Sequence, residues 1–167
     1  LNTNPEIAKQ WHYEKNSPLR PEDFTHGSDK KVWWQCPEGD DHEWEAVIGS
    51  RNIGRGCPFC SGRKASKTNN LLADNPKLAS EWHPTKNEDL RPENFTHGSD
   101  KKVWWQCPEG DDHEWQAIIY SRSEGVSCPF CSGRKASKTN NLLKLNPKLA
   151  NEWHSTKNKD LRPENFT

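Results

Sequence analysis

Two stretches of this chain carry three cysteines and a histidine at fixed spacing. Cys36 is followed after five residues by His42, then a 14-residue gap, then Cys57-Pro58-Phe59-Cys60. The same types return at Cys107, His113, Cys128 and Cys131. Three thiolates and an imidazole make a closed tetrahedral zinc site, and a Cys-x2-Cys turn lets two sulfurs reach one metal from a tight loop. Disulfides are the competing reading, but three cysteines per stretch leave one thiol over, and no thioredoxin-like pattern surrounds Cys57 and Cys60. The spacing therefore predicts two zinc ions, one per set. Zinc with three thiolates and a neutral histidine carries a net charge of about −1.

Hydrolytic metal chemistry needs residues that are missing here. A zincin helix would require a second histidine at position 46, which is Ala46, and Glu43 directly adjoins His42 where a deaminase would have His-x-Glu. Gly56 stands where that deaminase pattern has proline. A catalytic zinc keeps one position open, whereas Cys36 supplies a fourth ligand. The expectation is a protein that is not an enzyme and takes no small-molecule substrate.

The elements that hold these ligands repeat with the ligands. Trp11, Trp82 and Trp153 are 71 residues apart, and residues 1–71 and 72–142 share 53 identical positions. Residues 143–167 restart the unit. The organisation read from this is a first zinc-binding repeat over 1–71, a second over 72–142 and a partial third, helix and loop only, over 143–167. Repetition also explains the composition. Of 167 residues only 30% are hydrophobic, yet nine are Trp, and the mean hydropathy is −1.18. A module of about 70 residues with so few aliphatic residues is marginal alone, and metal ligation can add folding free energy on the order of 10 kcal/mol. No apolar run approaches a membrane span and no stretch reads as a signal peptide. The absence of Met suggests a fragment or a processed chain.

Within one unit, Asn-Pro at 4–5, 75–76 and 146–147 suits a helix start. The spacing of Leu78, Ala79 and Trp82 predicts a short helix over 75–83, and Pro84, Pro92 and Gly98 predict a loop over 84–98. Lys31–Gln35 reads as a strand, and residues 43–49 alternate as a second, with Trp44, Ala46 and Ile48 on one face. The two pair as a hairpin whose turn runs from Cys36 to His42. The fold class is thus small α+β zinc-stabilised modules, a zinc-ribbon or treble-clef-like β-hairpin plus short helices, in tandem. Adjacent strand residues face opposite ways, so at most one Trp of each pair Trp33/Trp34 and Trp104/Trp105 packs on the core, and the other is a candidate base-stacking surface. Trp44 and Trp115 read as core. His12, His83 and His154, which follow the helix Trp, and His26 and His97 read as capping or surface residues.

The series Asn-Pro-x-Leu-Ala-x-Glu-Trp-His, Lys-Asn-x-x-Leu-x-Pro, Lys-Val-Trp-Trp-x-Cys, His-x-Trp, Ser-Arg and Cys-Pro-Phe-Cys resembles the zinc-ribbon, or treble-clef-like, repeat domain family of undefined function. The resemblance covers both full repeats and the partial one. It implies a zinc site on the same eight residues and tandem copies, which in some members stand beside endonuclease-like domains. Family members often have a tighter Cys-Pro-x-Gly-His turn, which Asp40 and Asp41 lengthen here.

Two partner classes follow. Arg51, Arg55, Arg63, Lys64 and Lys67 form a basic segment without acids over 49–67, and Arg122, Arg134, Lys135 and Lys138 form another over 120–138 against Glu124. Such segments around a zinc knuckle are candidate nucleic-acid or partner contacts. Against this, 24 basic and 24 acidic residues give no general attraction to polyanions, and Glu38, Asp40, Asp41, Glu43 and Glu45 are expected to offset the basic patch at the same metal. Near-identical units without flexible linkers instead favour self-association as a structural or assembly scaffold, a head-to-tail array or filament. Unpaired thiols favour a cytoplasmic setting, with extracellular assembly left open.

Overall fold

The computed structural model describes residues 4–167. The chain forms two compact units, one running to Asp74 and taking in Glu93–Thr96, the other comprising Asn75–Pro92 and His97–Thr167. The first unit contains α1 (Pro5–Ala8), β1 (Lys31–Gln35), β2 (Glu43–Val47), α2 (Ile48–Asn52) and α3 (Leu71–Asp74). The second contains α4 (Pro76–Ala79), β3 (Lys102–Gln106), β4 (Glu114–Ile118), α5 (Ile119–Ser123), α6 (Leu142–Leu145) and α7 (Pro147–Asn151). These are small α+β modules. Among the described residues no helix is long and apolar enough to cross a membrane.

In each unit the two strands form an antiparallel hairpin, with Trp34 opposite Trp44 and Gln35 opposite Glu43 in the first, and Trp105 opposite Trp115 in the second. The chain behind the first helix adds to the other edge of β1. The Gln35 N–H donates to the Gln10 carbonyl (2.8 Å) and the His12 N–H to the Trp33 carbonyl (3.2 Å). The second strand ends earlier than its alternation suggests. Ile48, at the apolar position of the pattern, is fully buried but opens α2, so the chain turns there. Helix α4 is also shorter than the expected 75–83. Its N-cap Asn75 accepts from the Leu78 N–H, but the Trp82 N–H closes a tight turn on Ala79 and the His83 N–H leaves for the Trp104 carbonyl on β3. Pairing with a strand outcompetes one more helical turn.

Aromatic residues fill the first core. Trp11, Trp34, Trp44 and Phe59 pack with Val32, Ile48, Cys36 and Cys57, and Trp11 meets Trp34 edge to face at 5.9 Å. Trp34 and Trp105 are fully buried, while Trp33 and Trp104 lie half-exposed on the other face. Burial of each large ring is worth on the order of 3 kcal/mol. The cores therefore rest on a few big rings rather than on many aliphatics.

Each unit is closed by a short strap, residues 93–96 in the first and 164–167 in the second. The Leu71 N–H donates to the Phe95 carbonyl (2.7 Å) and the Thr96 hydroxyl to the Gly62 carbonyl (2.8 Å). In the second unit the Leu142 N–H donates to Phe166 (2.7 Å) and the Thr167 hydroxyl to Gly133 (2.6 Å).

Candidate metal centre

The hairpin turn and the Cys-Pro-Phe-Cys knuckle bring four donor atoms together in each unit. Those of Cys36, His42, Cys57 and Cys60, and those of Cys107, His113, Cys128 and Cys131, all lie within 4.8 Å of one another in their sets. Cys36 and Cys60 sulfurs are 3.6 Å apart, and His42 Nδ1 is 3.6 Å from the Cys60 sulfur and 3.9 Å from that of Cys57. Bond lengths of about 2.3 Å for zinc–sulfur and 2.0 Å for zinc–nitrogen at tetrahedral angles require donor separations close to these. The donor set is soft sulfur plus imidazole, which suits zinc, and among the described residues each set has four donors. These are zinc sites, two per chain.

Local structure explains why the donors converge. The Cys36 N–H donates to the His42 carbonyl (3.0 Å), so the turn brings its two ligands together across the end of the hairpin. The longer Cys-to-His spacing is thus absorbed in the turn. The His42 ring lies over Gly39, where a Cβ would sit 2.7 Å from Cδ2. On its other side the ring stacks on Phe59 at 5.0 Å. Gly62 takes a φ of +70° just beyond the knuckle, a region side-chain-bearing residues rarely adopt. In the second unit His113 Nε2 bonds Ser137 Oγ at 3.0 Å. With Nδ1 given to the metal, this nitrogen carries the proton and donates it, which fixes the ring. The thiols at the rim depend on the cation. Desolvation, then the neighbouring sulfurs, push the Cys60 and Cys131 thiols up to about 12, so without metal they hold their protons at neutral pH.

Two buried arginines brace the sites from behind. The Arg51 guanidinium lies 5.3 Å from the Trp34 ring and 5.1 Å from the Trp44 ring, and it donates to the Arg55 carbonyl and to Gln10 Oε1. Arg122 sits likewise between Trp105 and Trp115 and donates to the Val126 carbonyl and to Glu81. Arg51 is 5% exposed and Arg122 8%. Both are expected from the sequence as nucleic-acid or partner contacts; little of either is exposed, and Arg51 borders the cleft that also holds Arg55, Arg63 and Lys64. Ring faces, one backbone carbonyl and one side-chain oxygen hold each guanidinium, with Nε left unpaired, and Arg51 lies within electrostatic reach of Cys57 and Cys36. Arg63, Lys64, Lys67, Arg134, Lys135 and Lys138 are exposed.

The histidines that follow the helix Trp cap the next turn, His83 buried, His12 half-buried and His154 exposed. His83 is 4% exposed. Its Nδ1 accepts from the backbone N–H of Lys86 at 3.1 Å, so Nε2 donates to Glu114 at 3.0 Å. His12 and Glu43 repeat this contact at 3.0 Å. The second oxygen of each glutamate holds Lys15 or Lys86. Those lysines first and the histidines second keep Glu43 and Glu114 below the usual carboxylate range.

Small polar residues matter here more than their types suggest. Asn16 and Asn87 are buried beside the half-exposed Trp of the first strand of each unit. Asn69 accepts from the Ser66 N–H (2.7 Å) and donates to the Phe59 carbonyl between two zinc ligands. Recurrence at a 71-residue interval could not single them out, because most positions recur.

Zinc held by a Cys3His set between a β-hairpin turn and a Cys-x2-Cys knuckle, twice in one chain, defines a tandem array of treble-clef-like zinc modules. The chain belongs to the family described as the probable treble clef zinc finger domain, whose family model matches residues 7–63 and again 78–134. A comparison with curated proteins found no match.

Proposed function

We propose that this chain is a non-catalytic zinc-binding repeat scaffold that self-associates with further copies. The strap carries this reading. Each compact unit is completed by residues from the repeat downstream, through the same two hydrogen bonds, so neighbouring repeats are joined by fold rather than by a linker. A close copy of the strap, with Asp23 in place of Asn94, stands at residues 20–25, its Phe24 packed on Trp11. Thr25 is exposed, as is Thr167 on Gly133, whereas Thr96 is buried on Gly62. Exchange of a strap between copies is a head-to-tail contact, which builds open arrays where it does not close. Four protein ligands around each zinc, and a Glu43 whose two oxygens are both engaged, support a structural rather than a hydrolytic metal.

Light scattering across a concentration series, with negative-stain imaging of the zinc-loaded chain, tests this. The expected result is a mass that rises with concentration and end-to-end particles. A chain that stays monomeric throughout overturns the self-association. For the metal, cobalt(II)-loaded protein is expected to keep its visible spectrum unchanged in azide; a new band would show an open coordination position.

A further inference from the structure

We propose that the cleft beside the first zinc knuckle binds the phosphate backbone of nucleic acid, without base readout and independently of self-association. The cleft has a volume of about 330 Å³ and is lined by Lys31, Trp44, Glu45, Arg55, Arg63 and Lys64 among others. Four exposed cations thus face one acid, and Glu45 is already engaged by Lys31 Nζ at 2.8 Å. Arg63 is pre-set for a ligand. Its Nε donates to Ser61 Oγ (3.0 Å) and Nη2 to the Gly56 carbonyl (3.4 Å), which fixes the plane of the guanidinium. Among the described residues, no carboxylate pairs with Arg55, Arg63 or Lys64.

Two acids of the hairpin segment, Asp41 and Glu43, do not offset the cluster as the linear sequence suggests, and Glu43 is held by Lys15 and His12. Asp41 opens on a different groove, with Lys67, Asn70 and Glu93, and its carboxylate is occupied by the Lys67 N–H at 2.7 Å. The net negative charge of the zinc-thiolate group is met from inside by Arg51, which lies within the electrostatic reach of Cys57 and Cys36.

The aromatic groups argue for phosphates rather than bases. Trp44 is 4% exposed, too covered to stack, and the exposed face of Trp33 is taken by Lys15 at 4.4 Å. Base stacking needs an open ring face, whereas phosphate contact needs only placed cations. The second unit keeps Lys102, Arg134 and Lys135, with Arg134 held on Ser132 (2.9 Å) and Ser127 (3.0 Å). It replaces Glu45 by Gln116 and Arg55 by Val126.

That last exchange supplies the test. Arg55→Val installs the residue the second unit already tolerates, so the fold is preserved. The probe is a fluorescein-labelled 20-base-pair DNA duplex of mixed sequence, read by anisotropy with the zinc-loaded full chain over a salt series. Affinity is expected to fall steeply with salt and to be the same for a scrambled duplex. One phosphate contact contributes about 0.9 to the slope of log affinity against log salt. R55V is expected to lower that slope by about one and affinity by roughly eightfold at 0.1 M salt. Adding Lys64→Gln should lower both again. Absence of binding at low salt, or R55V/K64Q binding like the parent with full zinc content, overturns the proposal. So does equal competition by polyglutamate of matched charge, which would mark a general polyanion surface. Light scattering on the same samples reports self-association separately.

Discussion

The side chain of Asn87 pairs with both backbone polar groups of Trp104. Its Nδ2 donates to the Trp104 carbonyl at 2.9 Å and its Oδ1 accepts from the Trp104 N–H at 2.8 Å. Asn16 does the same for Trp33, at 2.8 and 2.9 Å. A buried amide thus continues along the strand edge the pairing that the chain behind the helix begins with the His83 N–H on the same carbonyl. Asn87→Leu removes both partners while keeping the volume. It should cost about 2–4 kcal/mol and lower the melting temperature of the second unit by several degrees, measured calorimetrically in excess zinc. Asn87→Asp, which keeps the acceptor and loses the donor, should fall between. If Asn87→Leu melts with the parent, the amide is not closing that edge.

The two buried arginines differ in one partner. Arg122 is paired with Glu81, and Arg51 with Gln10 at the equivalent position. Both glutamine and glutamate are therefore compatible with this packing. Glu81→Gln should destabilise the second unit by about 1–3 kcal/mol, because it leaves a buried cation with a neutral acceptor. Gln10→Glu should stabilise the first by a similar amount. Amide exchange resolved by unit checks both; effects of the same sign in the two variants would contradict the ion-pair account.

The metal ligands, both strands and the rings of the core were legible because each is written in a local pattern: ligand spacing, alternation, and adjacent Trp residues that must point opposite ways. What was hidden depends on contacts between distant segments. Arg51 looked like part of a surface charge run, since its neighbours Arg55, Arg63 and Lys64 are exposed. Only the fold shows Trp34 and Trp44 closing on it. The strap was hidden for a similar reason. Thr96 lies 34 residues from Gly62 and within the downstream repeat, so no local periodicity links them. Helix α2 was masked because Ile48 satisfies a strand pattern and a helix start equally well.

Acid should strip the zinc. Without metal the Cys60 and Cys131 thiols, pushed up to about 12, are protonated across the neutral range, so zinc binding must displace at least that proton at each site. Falling pH raises the competing proton concentration. Apparent zinc affinity should therefore drop by at least about tenfold per pH unit below neutrality. Competition with a chromophoric chelator between pH 7 and pH 5 measures this, together with two zinc ions released per chain. A pH-independent affinity over that range would exclude proton displacement. Unfolding should accompany release, and Cys57→Ser with Cys60→Ser should unfold the first unit at neutral pH.

Gly39 is required by the ring it faces. A Cβ there would lie 2.7 Å from His42 Cδ2 and 2.8 Å from Nε2, and the ring is backed by Phe59. Gly39→Ala must therefore displace His42 from the zinc. The expected outcome is zinc dissociation from the first site at least tenfold faster, with the second site unchanged. Gly27→Ala, where a Cβ meets nothing within 4 Å, is the control. Equal rates in the two variants would show that the ring has room to move.

The strap makes a prediction that separates coupling from simple stability. Thr96→Val keeps shape and removes the hydroxyl that donates to Gly62, leaving that carbonyl short of a partner beside the knuckle. A loss of about 1–2 kcal/mol is expected. It should appear in the unit that contains Gly62, although residue 96 belongs to the second repeat by sequence. Exchange of the Leu71 amide, which bonds the Phe95 carbonyl next door at 2.7 Å, should rise by about five- to thirtyfold, following the same free energy. The amides of β3 and β4 should keep their protection. If the loss instead falls on those strands, the strap belongs energetically to its own repeat, and the joining of repeats through it would have to be abandoned.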